Sequence, residues 1–182
     1  MNKKFSTILT VFLILILSTS SVGAAGAIKL SATITSASPL HVEGILTGAT
    51  GNVLGVTVTL TGFGDVTSVF CTNPNGKQSP GHNPGRISVS GAQEIEQSEI
   101  DTGGNVVVSF SAQQPDFSNV CPNRRWTVTS YAIAWTSATI DITDNALPSG
   151  SNLMLHQEYA CTLQPGSSTA YICTLVSETR YF

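Results

Sequence analysis

Apolar and polar residues alternate with a period of two along much of the chain. Leu30, Ala32 and Ile34 interleave with Ser31, Thr33 and Thr35; Val56, Val58 and Leu60 interleave with Thr57, Thr59 and Thr61; Val106, Val108 and Phe110 share a face further on. Successive strand side chains point to opposite faces, so each run predicts a half-buried strand, and β-branched residues suit its pleated surface. Gly, Pro and Asn clusters at 48–51, 62–65, 101–105 and 148–151 separate the runs as turns. The pattern predicts strands near 28–36, 40–47, 53–61, 65–71, 86–92, 105–112, 126–134, 136–143, 153–163 and 169–177. Many short strands with frequent turns describe a single all-β domain, an antiparallel sandwich.

The N-terminal residues follow a different logic. Lys3 and Lys4 precede an apolar run from Ile8 to Leu17, and small residues stand at Val22, Gly23 and Ala24. That order predicts a signal peptide over residues 1–24, cleaved after Ala24, with residues 25–182 as the domain. The apolar run is about half the roughly 20 residues a spanning helix needs. No second such run follows, so stable membrane insertion after cleavage is not expected, and the expected location is extracellular or periplasmic. Cleavage would remove two Lys and no acid, leaving six Lys or Arg against eleven Asp or Glu, a formal charge of −5. Phosphate-backbone binding relies on clustered cations, so nucleic acid is not an expected partner. Charged residues make up 10% of the chain, against about 25% in a typical globular protein. The polar surface therefore falls to Thr, Ser, Asn and Gln.

Two stretches interrupt the strand pattern. Residues 72–85 hold three Pro, three Gly and three Asn, and residues 113–125 form a second irregular segment. Both are expected as long loops, the first running from Cys71. Four cysteines, Cys71, Cys121, Cys161 and Cys173, read as a disulfide framework with three possible pairings. A hairpin turning at Pro165, Gly166, Ser167 and Ser168 sets Cys161 directly across from Cys173, within disulfide range. Cys71 is then left to Cys121, which pins both loops at one end of the domain. The Cys161–Cys173 bridge closes a C-terminal hairpin over 153–177. Zinc sites use closely spaced ligand pairs that these cysteines lack.

Catalytic chemistry is not signalled. His41, His82 and His156 are scattered, and the chain contains no Gly-x-Ser-x-Gly, no His-Glu-x-x-His and no Gly-Lys-Ser/Thr loop. An enzyme is not expected, nor is a cofactor or metal. Glu94, Glu96, Glu99 and Asp101 read as a solvated edge that discourages strand pairing. Asp141, Asp144 and Asn145 lack the twelve-residue calcium-loop pattern. Between 126 and 142, Trp126, Val128, Ala132, Ala134, Ala138, Ile140 and Ile142 fall on one side, and Tyr131, Ile133 and Trp135 on the other. If the first set is core, the second is an exposed stripe that stacks on a sugar or meets a partner. A bulge near 134–137 would instead reverse the faces and bury both sets, and it is the favoured reading. Arg124, Arg125 and Phe117 of the second loop, with His82 of the first, complete the candidate binding surface. The expected function is a non-catalytic extracellular structural or interaction domain. Its partners are a glycan, a surface protein or a second copy; a secreted inhibitor built on the 72–85 loop is the alternative.

The segments Cys71-Thr72-Asn73-Pro74-Asn75-Gly76, Pro80-Gly81-His82-Asn83-Pro84, Cys121-Pro122-Asn123 with Trp126-Thr127-Val128-Thr129, and Thr136-Ser137-Ala138-Thr139-Ile140 follow in an order that resembles a set of small secreted bacterial proteins with immunoglobulin-like sandwiches. The resemblance spans roughly residues 28–145. It implies an immunoglobulin-like fold and export, and it brings no catalytic residues. The Cys161 to Cys173 hairpin departs from it.

Overall fold

A computed structural model describes residues 27–36, 39–50 and 54–181, so the expected signal peptide lies outside the described residues. Among the described residues nine strands form one antiparallel sheet: β1 Lys29–Ser36, β2 Leu40–Thr47, β3 Gly55–Thr72, β4 Gln78–Pro80, β5 Arg86–Glu96, β6 Val106–Ser111, β7 Thr127–Asp144, β8 Leu153–Leu163 and β9 Tyr171–Arg180. The described residues contain no α-helix, and one 3-10 turn, Gln97–Glu99, follows β5. The strand order is β4-β3-β7-β8-β9-β1-β2-β6, with β5 beside β4 on the same edge of β3.

The sheet curls until its two ends meet. Gln113 N donates to Ser90 O at 2.9 Å, and Ser109 N donates to the Gln93 side chain at 2.9 Å, which joins the β6 end to β5. Gly91 permits this approach, because a Cβ there would lie 2.5 Å from Ser111 O. The concave face holds a single core. Ile34, Val42, Leu46, Val58, Leu60, Ile140, Ile142 and Leu155 are each 0% exposed, and each such side chain contributes about 2 kcal/mol of burial. The polar partners of these strands, such as Thr57, Thr59 and Thr61, face outward as the alternation predicts.

Two differences from the sequence expectation share one cause. The strands expected at 53–61 and 65–71 are one 18-residue strand, β3, and those expected at 126–134 and 136–143 are one 18-residue strand, β7. Gly62 and Gly64 looked like turn formers. Neither has the positive φ seen at the turn glycines 48, 76, 104, 150 and 166. They are close-packing positions instead: a Cβ on Gly62 would lie 2.1 Å from Leu40 Cδ1, and one on Gly64 would lie 2.7 Å from Ile133 Cγ2. The two long strands pair along their whole length and bend through three register shifts. At the first, Gly64 opposes Trp135 while Phe63 opposes Ser137, so Thr136 is the extra residue of a bulge.

A third difference lies in the Pro-rich loop, where residues 78–80 form the short β4 against Phe70, Cys71 and Thr72. Asn73 makes this possible. Its side-chain oxygen accepts the Asn75 and Lys77 amides at 3.0 and 2.9 Å, and Gly76 takes the left-handed conformation that the tight turn needs.

Candidate functional site

The loop end of the sheet is assembled around Cys71, fully buried near the end of β3 and bonded to Cys121. Their Cα atoms are 5.8 Å apart across 50 residues of sequence. The first loop folds back beside this bridge: Gly81 N donates to Val69 O at 2.9 Å and the Asn83 side chain donates to Val66 O at 2.7 Å. Its neighbour His82 donates its backbone N–H to Val120 O at 2.7 Å, which ties the first loop to the second. Gly81 suits this close approach, because a Cβ would sit a tight 3.1 Å from both Cys71 Sγ and Val120 O. The second loop drops Phe117 and Val120 into the core, at 7% and 8% exposure. Asn123 then turns the chain into β7, its side chain accepting the Arg125 amide and its carbonyl accepting the Trp126 amide, both at 3.0 Å.

Between this loop and the start of β7 lies a cleft of about 380 Å³ walled by Pro115, Phe117, Trp126, Val128 and Tyr131, with Gln114, Ser118 and Thr127 as its polar members. The Phe117 and Tyr131 rings meet at 4.8 Å between centroids, tilted by 53°. That geometry is attractive between aromatic quadrupoles and fixes one wall of the cleft. Arg124 and Arg125 are exposed on the turn leading to Trp126, and neither forms an ion pair among the described residues. Asp116, in the same loop, has its carboxyl held below the usual range by the Ser118 amide.

The candidate residues are thereby redistributed. Trp135 and Ile133 do not form an exposed stripe: they are 3% and 9% exposed, and the Thr136 bulge turns them into the core together with Ala138 and Ile140. A face reversal at the bulge is present, but it does not bury both sets: Ile133 and Trp135 join Ala138, Ile140 and Ile142 in the core, while Val128, Ala132 and Ala134 are half-buried. Tyr131 is half-buried and reaches the cleft, Phe117 is its buried wall, and Arg124, Arg125 and His82 are exposed around the loops. Trp126, which the alternation placed in the core, is half-buried against the core's edge and lines the cleft. Its place directly after two arginines and a Cys-Pro-Asn turn was the signal available.

The acidic groups have local duties. Glu99 accepts the Glu96 amide at 2.7 Å in a capping box, and Asp101 has its pKa lowered chiefly by the Asn105 amide at 2.8 Å and the Asn105 side chain, with the Gly103 amide, also at 2.8 Å, adding to it. Asp144 accepts the Ala146 amide, and Asn145 accepts the Thr57 hydroxyl. Among the described residues no group of three or more His, Cys, Asp or Glu is arranged to hold a metal ion.

His156 has a carboxylate partner that spacing did not reveal. Across the β7–β8 pair its Nδ1 lies 2.6 Å from Asp141, while Nε2 faces Glu158 at 3.6 Å, and Glu158 accepts the Ser177 hydroxyl on β9 at 2.8 Å. The Asp141 hydrogen bond, assisted by Glu158, raises the His156 pKa. Ser177 donates to Glu158 and not to the imidazole, so this chain of groups pairs charge across three strands. On the inner side Gln157 is fully buried. It donates to Leu30 O at 3.0 Å and to Glu178 at 2.8 Å, and accepts the Tyr159 hydroxyl at 2.8 Å. Burial, with the nearby Glu178 charge, pushes the Tyr159 phenol up to about 12.

No family model matches the chain, and no curated protein matches it in sequence. No helix of the described residues is long and apolar enough to cross a membrane.

Proposed function

We propose that this chain is a non-catalytic extracellular interaction domain that holds its partner at the loop end of the curled sheet. The observation that carries this reading is the aromatic cleft beside the Cys71–Cys121 bridge. A disulfide, inter-loop backbone bonds and a close-packed glycine fix two irregular loops in one shape, and pre-organised loops on a rigid scaffold bind at lower entropic cost. Two disulfides fit an oxidising compartment and support the export expected from the N-terminal pattern. An immunoglobulin-like sandwich is the finer reading of the architecture. The short β1–β9 pairing and the β5–β6 seam favour it, dividing the curl into facing layers β5-β3-β7-β8-β9 and β1-β2-β6, and the resemblance to small secreted bacterial proteins points the same way.

An array of glycans and extracellular proteins, probed with the oxidised chain, tests the reading. A partner bound by the native chain and lost when residues 114–118 are replaced by Gly and Ser is the expected result. Binding that survives the replacement, or no binding at all, overturns it.

One observation favours self-association as a second reading. β9 pairs with β1 only at Tyr171, Ile172 and Cys173, and beyond them Leu175 and Val176 are 50% and 67% exposed. Val176 is also the extra residue of a bulge against β8, a feature that blunts edge-to-edge pairing. Sedimentation over a wide concentration range decides it: a dimer abolished by Val176→Lys supports strand pairing, and a monomer throughout removes it.

A further inference from the structure

We propose that the cleft beside Cys121 takes an acidic glycan, a sugar chain bearing carboxylate groups; this rests on the cleft being the contact site. Three features converge on that chemistry. The first is size: about 380 Å³ lies at the lower end of the range for small-ligand sites, which suits one or two sugar rings rather than a folded surface.

The second is the alternation of its lining. A pyranose ring has an apolar C–H face and a rim of hydroxyls. Trp126 and Tyr131 offer aromatic surface for the face, while Gln114, Ser118 and Thr127 offer donors and acceptors for the rim. Because Phe117 is packed against Tyr131 at 4.8 Å, that wall is set before any ligand arrives.

The third is charge. Of the six Lys and Arg beyond residue 24, two stand side by side at Arg124 and Arg125, in a domain whose formal charge is −5. Arg180 is neutralised by Glu178, but these two have no ion-pair partner among the described residues. Neither arginine lines the cleft itself, but Arg125 directly precedes its wall residue Trp126, about 3.8 Å along the backbone, and both are exposed on that turn; a long, flexible guanidinium there is within reach of a carboxylate on a sugar seated in the cleft. Asp116 is the acid of the same loop, and the Ser118 amide that it accepts favours its charged form, so the loop's balance is two arginines against one carboxylate, an excess of one positive charge.

Calorimetric titration of the disulfide-bonded chain at low ionic strength tests the inference, with an oligomer of glucuronic acid, the matched oligomer of glucose and oligo-glutamate as probes. The glucuronic acid oligomer is expected to bind about tenfold tighter than the glucose oligomer, an advantage of the size two exposed charge pairs supply. That preference is expected to fall below about twofold in the Arg124→Gln, Arg125→Gln double variant and in molar salt, where exposed charges are screened. Trp126→Ala is expected to lose both sugars. The double variant alters only exposed side chains, so it decides the matter even if Trp126→Ala does not fold. Equal affinity for the two sugars, an undiminished preference in the double variant, or tighter binding of oligo-glutamate overturns the inference. No sugar binding, alongside a cleft-dependent partner on the array, overturns the acidic glycan alone; a blank array removes the contact site as well.

Discussion

The two disulfides sit in opposite kinds of surroundings. Cys71–Cys121 spans 50 residues and joins the end of a long strand to an irregular loop, with hydrogen bonds and Gly81 packed around it. Cys161–Cys173 spans 12 residues and joins two positions that already oppose each other in the β8–β9 ladder. At the loop end the bridge is part of what defines the shape. In the β8–β9 wall the ladder defines the shape, and the bridge adds to it. The loop end is accordingly where we place the proposed contact site, whereas the wall pairs its polar groups with one another, through Gln157 and Tyr159 inside, with Glu178 at the surface end of that network, and through Asp141, His156 and Glu158 outside.

The sharpest way to break this contrast is to open each bridge. Cys71→Ser with Cys121→Ser is expected to cost about 4 kcal/mol on the chain-entropy model, and Cys161→Ser with Cys173→Ser about 3 kcal/mol. Urea unfolding measures both, and an equal or reversed order removes the distinction. Only the first pair is expected to change the environment of Trp126, read by fluorescence in a Trp135→Phe background.

The two tryptophans carry the same contrast. Trp135→Ala, which empties a core position, is expected to destabilise by about 4 kcal/mol. Trp126→Ala, at the half-open cleft, is expected to cost less than about 2 kcal/mol. Similar urea midpoints for the two variants contradict the burial reversal at Thr136.

Next in size is Gln157→Leu, which keeps volume but leaves the Tyr159 hydroxyl and the Leu30 carbonyl without their buried partner. A loss of about 2 kcal/mol is expected. A neutral result would show that the interior polar network is not part of what holds the wall.

The smallest effect is that of pH. The His156 pKa is raised in the folded chain, so its contribution to stability is complete below the ordinary value of 6.5 and is lost as pH rises through the raised one. Glu158 is shifted downward by the Ser177 hydroxyl and by His156. It therefore contributes above its ordinary 4.5, and that contribution is lost as pH falls through the lowered value. Imidazole proton shifts followed by NMR are expected to place the His156 midpoint above 6.5 and to bring it back toward that value in Asp141→Asn. An unchanged midpoint in the variant contradicts the cross-strand pair.

Much of the wall was legible because its information is local. Six expected strands coincide with observed ones to within a few residues, since period-two alternation states which face is buried. Gly104, Gly150 and Gly166 mark true turns because each needs a backbone conformation that other residues avoid. The pairing of Cys161 with Cys173 followed from hairpin symmetry alone. The loop end was legible only in outline: the sequence located two irregular segments and the bridge between them, but it placed Trp126 in the core and could not exclude an outward Trp135.

What the sequence determined by itself, then, is the all-β character, the turns at 101–105, 148–151 and 165–168, the outward Thr and Ser rows and the disulfide pairing. These rest on side-chain period and on short-range backbone geometry. What only the tertiary structure decided is the continuity of β3 and β7, the curl that brings β5 to β6, the reversal at Thr136 and the meeting of His156 with Asp141. Each depends on which residues approach from far along the chain. Gly62 shows the difference most simply: in sequence it has the composition of a turn, and in the fold it is the space that Leu40 occupies.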